Sequence, residues 1–197
     1  MRKHRLLLLP IFALVAAFAF AACGSSESDE DKIVDVIETS ATSDDPATCT
    51  ELVTQTFLDQ VEEGEGKAAI KECEEDAEDT ADNPDSVEVT EVEVDGTNAT
   101  ANAAFTGGGF DGQTLTVAVV DDGGDWKLDE ITGFAKFDQA KLVQAFEEQL
   151  AEEDSIEPAI TSCIVESLEE LEQEEFEELL LGGSSQGFVE LAEACQE

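Results

Sequence analysis

The chain has 197 residues, with 49 Asp and Glu against nine Lys and Arg, which makes its formal net charge −40 at pH 7. Phosphate neutralisation needs clusters of Lys and Arg, so this balance excludes nucleic-acid binding through a basic patch. It also argues against adhesion to anionic lipid headgroups through protein charge.

The N-terminus predicts an export signal. Residues 1–5 are basic, and an apolar run follows over residues 6–22, interrupted by one proline. This run is marginal in length for a membrane-spanning helix and ends in small residues, as a signal peptide does. Residues 20–24 (FAACG) resemble the bacterial lipobox around an invariant cysteine, here Cys23. Phe20 stands where Leu is usual.

The lipobox resemblance implies cleavage before Cys23 and attachment of lipid to that cysteine. Residues 1–22 are then the signal peptide, and residues 23–31 are an acidic, flexible tether. A multi-chain lipid would hold the protein stably at the membrane. The competing interpretations are an ordinary secretory signal with a chance cysteine and an uncleaved membrane anchor.

Removal of the signal leaves an even more acidic protein. Six Lys, no Arg and no His remain against all 49 acids, a formal charge of −43. Crowding of like charges raises carboxyl pKa values in the compact state. We therefore expect the protein to be more stable near pH 5 than at pH 8 in low salt.

Four cysteines remain besides Cys23, and an even number in an exported chain predicts two disulfides. Three pairings are open. The local pairing, Cys49–Cys73 and Cys163–Cys195, keeps each bond inside one candidate domain. Each bond would stabilise the fold by roughly 3–4 kcal/mol in the chain-entropy model. The spacing does not fit a metal site, because there is no C-x-x-C and no His.

Helical spacing dominates the first part of the exported chain. Apolar residues within 32–39 share one helical face. Residues 44–46 (DDP) form a helix-start signal. Apolar residues at three-and-four spacing over 52–61 predict a second helix, which ends at Gly64. A third helix is expected over residues 67–79.

The pattern then changes to a period of two, which predicts strands. A change of phase at residues 90–91 predicts a β-bulge, and Asp95-Gly96 predicts a hairpin turn. A turn at residues 121–125 leads into a fourth strand that begins at Trp126. The residues expected to face inward in the second and third strands are Ala99, Ala101, Ala103, Phe105, Leu115, Val117 and Val119. Helices followed by a four-stranded antiparallel meander define an α+β fold.

The helical start, the segments VEVTEVEVDGTNATANAAF and DGQTLTVAVVDDGGDWKLDEI, and the final tryptophan strand together resemble the NTF2-like superfamily in its short exported-lipoprotein form. The resemblance covers roughly residues 32–135. It implies a curved sheet wrapped around the N-terminal helices to form a cone with an apolar pocket. We place this NTF2-like α+β domain at residues 32–137.

Residues 138–197 predict a small acidic helical unit. Leu142, Phe146 and Leu150 recur every four residues, and residues 155–158 mark a second helix start. Apolar residues continue at helical spacing over 160–180. Gly182-Gly183 would end that helix, and Ser184 or Ser185 would cap a last short one. The second predicted disulfide would staple this unit. The alternative is that these helices pack on the cone as further layers of one domain.

No constellation in the sequence predicts a catalytic, cofactor or metal site. Enzymes of the NTF2-like group use Asp, His or Tyr inside the cone, whereas the exported chain has neither His nor Tyr. The acids in residues 121–125 fit a hairpin turn better than a cation loop. The Glu-rich run 166–178 is typical of a solvated helix face, with an acidic docking surface as the alternative. Trp126 is expected in the core, with a pocket-lining role as the alternative.

These observations lead us to expect a non-enzymatic lipoprotein, anchored by lipid at the extracytoplasmic face of the cell membrane. Its expected role is to bind either a small apolar ligand in the cone or a protein partner. The alternative is an enzyme of the NTF2-like pocket type that uses an Asp or Glu base. A carboxylate deep in an apolar cone would favour the enzyme, and a filled cone would favour protein interaction.

Overall fold

The structure, a computed structural model, describes residues 27–62, 64–77, 83–152, 156–181 and 186–196. The predicted signal peptide, Cys23, Ser155 and residues 182–185 lie outside the described residues. The helices before the sheet are α1 (Asp29–Thr42), α2 (Thr48–Glu51), α3 (Gln55–Val61) and α4 (Lys67–Asp76). The strands are β1 (Ser86–Asp95), β2 (Asn98–Thr106), β3 (Thr114–Asp122) and β4 (Asp125–Lys136). The helices after the sheet are α5 (Gln139–Glu152), α6 (Pro158–Glu170), α7 (Gln173–Leu181) and α8 (Gln186–Ala194).

Helix α1 begins three residues earlier than the sequence analysis predicts, so the expected tether over residues 23–31 is too long. The Ser28 hydroxyl accepts a hydrogen bond from the Asp31 backbone N–H at 3.1 Å. The Asp31 carboxylate in turn accepts one from the Ser28 backbone N–H at 3.2 Å. This reciprocal capping satisfies backbone donors that the first turn leaves unpaired, and it fixes the helix start at Asp29.

The single helix predicted over residues 52–61 is wrong, because the chain pairs with β4 at Val53. The Thr54 backbone N–H donates to the Leu128 carbonyl at 2.9 Å, and the Leu128 N–H donates to the Leu52 carbonyl at 2.9 Å. These bonds replace helical ones. The Thr54 side chain then caps the new helix α3.

The four strands form an antiparallel sheet in the order β1-β2-β3-β4, which confirms the predicted α+β meander. The β1–β2 register shifts between Thr90 and Glu93, and Glu91 has a φ of 53°, so the predicted bulge is present. Asp95 pairs with Asn98 across a two-residue turn. The predicted inward residues of β2 and β3 are buried, apart from Phe105, which is half-buried.

Helices pack on one face of this sheet and build the hydrophobic core. Helix α1 contacts β1 and β4, whereas α3 and α7 contact β4. The buried side chains of α1 and α3 are Ile33, Val36, Ile37 and Leu58. They belong to one cluster with the inward side chains of the sheet and with Leu142, Ile164, Leu168 and Phe176 of α5, α6 and α7.

The side-chain amides of two glutamines connect the C-terminal helices to the sheet. The Gln113 side chain is 1 % exposed. It donates to the Asp138 carbonyl at 2.8 Å and accepts from the Asp138 N–H at 2.7 Å, just before α5 begins. The Gln60 amide donates to the carbonyls of Ile131 at 2.8 Å and Leu181 at 3.0 Å, and it accepts from the Ile131 N–H at 2.8 Å. The Gln113 amide thus satisfies both backbone groups of Asp138, whereas the Gln60 amide satisfies backbone groups of β4 and α7 at once.

A third glutamine marks the end of α6. The predicted apolar helical face over residues 160–180 is divided at Leu171, where α6 ends before α7 begins. The Gln139 amide donates to the carbonyls of Leu168 at 3.0 Å and Leu171 at 2.8 Å. It therefore supplies a donor to carbonyls at the C-terminal end of α6, where intrahelical donors run out.

Two disulfides cross-link helical segments, in the local pairing that the sequence favours. Cys49–Cys73 joins α2 to α4. Cys163–Cys195 joins α6 to the residue that follows α8. Both bonds link pairs of helices within one part of the chain, rather than linking the N-terminal helices to the C-terminal ones.

Candidate functional site

Aromatic rings fill the space between the C-terminal helices and the sheet. Phe137 lies 5.1 Å from Phe134 and 5.5 Å from Phe176, measured between ring centroids. Phe146 lies 6.5 Å from Phe176 and 5.5 Å from Phe188. Among the described residues, the polar side chain that is fully buried is Gln113, an uncharged amide. In this part of the chain, therefore, the apolar interior holds no carboxylate that could serve as a base.

The outward side of β2 and β3 presents an uncharged surface in a very acidic protein. Its side chains alternate with the buried ones and are exposed or half-buried. Eight residues form it, and we call it the neutral face: Asn98, Thr100, Asn102, Ala104, Thr114, Thr116, Ala118 and Val120. Between Asp95 and Asp121, Asp111 is the one charged residue in the sequence. Charge is therefore missing from a solvent-accessible surface in a chain whose residues are 29 % charged.

Charged side chains border the neutral face on both outer strands. On β1, Glu88, Glu93 and Asp95 pair with Ala104, Thr100 and Asn98 of β2. On β4, Lys127, Glu130 and Lys136 pair with Val120, Ala118 and Thr114 of β3. The charged residues of the β1 border are thus all acidic, whereas those of the β4 border carry both signs.

Hydrogen bonds order the middle of the neutral face. The Asn102 amide donates to the Glu91 carboxylate at 2.6 Å, and its oxygen accepts from the Thr116 hydroxyl at 3.1 Å. The Thr132 hydroxyl donates to the Thr116 carbonyl at 3.1 Å. Side chains held in this way lose little further conformational freedom when a partner binds.

A separate group of acids, Glu62, Glu72 and Asp76, lies where α3 meets α4. Burial raises the pKa of Glu62 from its ordinary 4.5 to about 7, and the negative charges of Asp76 and Glu72 add to that effect. The Glu72 carboxylate accepts a hydrogen bond from the Gly64 N–H at 2.7 Å. Sequence analysis missed this group, because only the packing of α3 on α4 brings Glu62 toward the other two acids.

The raised pKa of Glu62 gives the expected pH dependence a specific origin. The folded state binds this proton more tightly than the unfolded chain, whose pKa is near 4.5. The resulting stabilisation is complete below that pH and is lost as the pH rises through about 7. We therefore expect a higher melting temperature at pH 5 than at pH 8 in low salt. Glu62→Gln should raise stability at pH 8 by about 1–2 kcal/mol, after a discount for solvent screening.

Thermal unfolding at both pH values, with and without 1 M salt, measures this effect. Glu74→Gln removes an exposed charge from α4 and serves as the matched control. Salt should recover part of the loss at pH 8, because it screens the repulsion from Asp76 and Glu72 but leaves the burial of Glu62 unchanged. Equal melting temperatures at pH 5 and pH 8 in low salt would contradict the prediction.

The other candidate residues from the sequence analysis make hydrogen bonds that stabilise the fold. Trp126 is buried, as expected, and its indole N–H donates to the Asp29 carboxylate at 3.4 Å. The Asp121 carboxylate accepts from the Gly124 N–H at 2.5 Å within the β3–β4 turn, so this acid takes part in the predicted hairpin turn. Glu177, in the Glu-rich run, accepts from the Phe134 backbone N–H at 3.2 Å. That run is therefore not wholly a solvated face.

The neutral face is a further feature that sequence analysis missed, although the sequence holds its signal. The stretch between Asp95 and Asp121 alternates apolar residues with Thr, Asn and Ala, in a chain that elsewhere alternates them with acids. In the described residues, no helix is long and apolar enough to cross a membrane. Comparison with protein-family models, with curated proteins and with solved structures finds no match to this chain.

Proposed function

We propose that the protein is a lipid-anchored, extracytoplasmic binding protein, and that it binds a protein partner through the neutral face. The observation that carries this proposal is the absence of charge from eight solvent-accessible positions of a protein with so many acids. The centres of protein–protein interfaces are depleted of charged residues, because desolvating an unpaired charge is costly. A solvated surface without a partner has no such constraint.

The borders of the neutral face indicate the chemistry of the partner. Glu88, Glu93 and Asp95 would face the partner along β1, in the negative field of the whole protein. Complementary potentials steer association and disfavour the wrong partners. The partner is therefore a protein whose contact surface is uncharged in the centre and basic along the side that meets β1.

The filled interior favours protein interaction over the rival functions. A pocket enzyme needs a carboxylate base in an apolar cavity, and the described interior holds aromatic rings instead. An NTF2-like cone remains our proposal for the sheet and α1. It is supported by the contacts of α1 with both outer strands and by the register shifts of β3 against β4, since bulges bend strands.

A photo-crosslinking residue tests the neutral face directly. Placed at Ala118, it should give a discrete adduct with one protein in the membranes of the bacterium that makes this chain. Placed at Ala140, an exposed position on α5, it should not. Adding Thr100→Glu should abolish the Ala118 adduct, because it puts an unpaired charge in the middle of the interface.

Thr56→Glu, an exposed change of the same kind on α3, is the matched control and should leave the adduct intact. Circular dichroism must show that both variants remain folded. Adducts of equal yield from Ala118 and Ala140, or an adduct that survives Thr100→Glu, would count against the proposed face.

The proposed anchor predicts a separate result. Expressed in a bacterium with its full signal, the protein should partition into detergent, and mass spectrometry should find Cys23 as its first residue. Cys23→Ser should release the protein or leave it unprocessed, because the lipid then has no attachment site. Ser25→Ala keeps the lipobox pattern and is the control. A mature N-terminus at any other residue would refute the anchor.

A further inference from the structure

A groove lies between the β2–β3 loop and helix α5, on a different part of the molecule from the neutral face. It has a volume of about 370 Å³, within the range of about 300–1,000 Å³ that is typical of small-molecule sites. Phe110, Leu142, Ala145 and Phe146 supply its apolar lining, and Glu148 lies among its polar residues. One wall of the groove, helix α5, follows the segment that resembles the NTF2-like superfamily, and the other wall, the β2–β3 loop, belongs to that segment.

The walls of the groove are held in place. The Asp111 carboxylate accepts hydrogen bonds from the Gly107 N–H at 2.9 Å and from the Lys141 ammonium at 2.7 Å, which ties the loop to α5. The Phe110 ring lies 5.8 Å from that of Phe105 on β2. On the other wall, Phe146 packs on Phe176 and Phe188. The groove is therefore preformed, which lowers the entropic cost of binding.

The charge of this region is negative. Lys141, the cation nearest in sequence, pairs with Asp111. After Lys141 the sequence contains no Lys or Arg up to residue 197. Glu148 accepts one hydrogen bond, from the Gln144 amide at 2.9 Å, and this bond leaves its charge in place. A charged ligand group beside Glu148 must therefore be a cation.

We infer that this groove binds a small amphiphilic cation, with the apolar body of the ligand on Phe110 and Phe146 and its ammonium group beside Glu148. Burial of the apolar body supplies most of the affinity. The ion pair and the negative field of the protein select the sign of the charge. An anion of the same shape is repelled, and a neutral analogue binds with intermediate affinity.

Three matched naphthyl probes test the charge selection: 2-(1-naphthyl)ethylammonium, 2-(1-naphthyl)ethanol and 3-(1-naphthyl)propanoate. Their fluorescence anisotropy is measured with the full-length protein in lipid nanodiscs, and empty nanodiscs correct for partition. The cation should bind about threefold more tightly than the alcohol, as an exposed ion pair allows, and about tenfold more tightly than the carboxylate. Glu148→Gln should lower the ratio of cation affinity to alcohol affinity, because the ion pair is lost while the field of the other acids remains. Glu74→Gln should leave that ratio unchanged.

Two variants that fill the groove test its location. Ala145→Leu adds bulk to the α5 wall, and Gly109→Leu adds it to the loop wall, where a Cβ meets no atom within 4 Å. Both variants should weaken the binding of all three probes. Ala140→Leu, which lies on α5 outside the groove, should leave their binding unchanged. Unchanged binding in both filled variants overturns the site. Equal affinity of the wild type for the cation and the alcohol overturns the proposed ligand class. So does a result in which none of the three probes binds.

Discussion

Phe176→Ala is expected to lower the free energy of unfolding by about 3–5 kcal/mol, the cost of removing a large buried aromatic side chain. The Phe176 side chain is fully buried. Its ring packs between Phe137, just after β4, and Phe146 on α5. Loss of the ring leaves a cavity among three elements. Urea denaturation of the variant and the wild type measures the difference.

Val189→Ala is the control for this prediction. Val189 lies on α8 and is 50 % exposed, so its truncation should change stability by less than about 0.5 kcal/mol. Because the buried cluster includes the sheet and α5 to α7, Phe176→Ala should shift one cooperative transition. A loss of less than 1 kcal/mol, or a second transition confined to the C-terminal helices, would show that Phe176 does not couple them to the sheet.

Removing the Cys49–Cys73 disulfide through the double variant Cys49→Ala/Cys73→Ala is expected to cost about 3.5 kcal/mol at pH 8. The bond closes a loop with a sequence separation of 24 and joins α2 to α4. Helix α4 buries one side chain, Ala69, so burial of apolar area does little to hold this helix in place. The carboxylates of Glu62, Glu72 and Asp76 also repel one another across the contact of α3 with α4. We expect the bond to hold α4 against that repulsion.

The same variant with Glu62→Gln added tests this coupling. Without the disulfide, α4 can move away from Glu62, so Glu62→Gln should stabilise the double variant less than it stabilises the wild type at pH 8. Cys163→Ala/Cys195→Ala removes a bond of similar loop length elsewhere and should leave the effect of Glu62→Gln unchanged. If Glu62→Gln raises the free energy of unfolding equally with and without the Cys49–Cys73 bond, the disulfide does not hold α3 and α4 together.

Local periodicity determined most of the elements of this protein. Apolar residues every second position placed β1 to β4, since successive side chains of a strand point to opposite faces. The break in that period at residues 90–91 located the bulge, because one extra residue reverses the phase. Spacing by three and four identified the helical regions. The count and separation of the cysteines favoured the pairing that the structure contains.

Contacts between distant parts of the chain decided the rest. Val53 is not helical, because the chain around it forms backbone hydrogen bonds with Leu128, which is far away in sequence. A hydrophobic pattern does not reveal such partners. The amides of Gln60 and Gln113 are indistinguishable in sequence from solvated ones, yet they satisfy backbone groups between elements. The raised pKa of Glu62 and the groove beside Phe146 likewise arise from packing. Periodicity shows which side of an element is apolar, whereas only the tertiary structure shows which groups meet there.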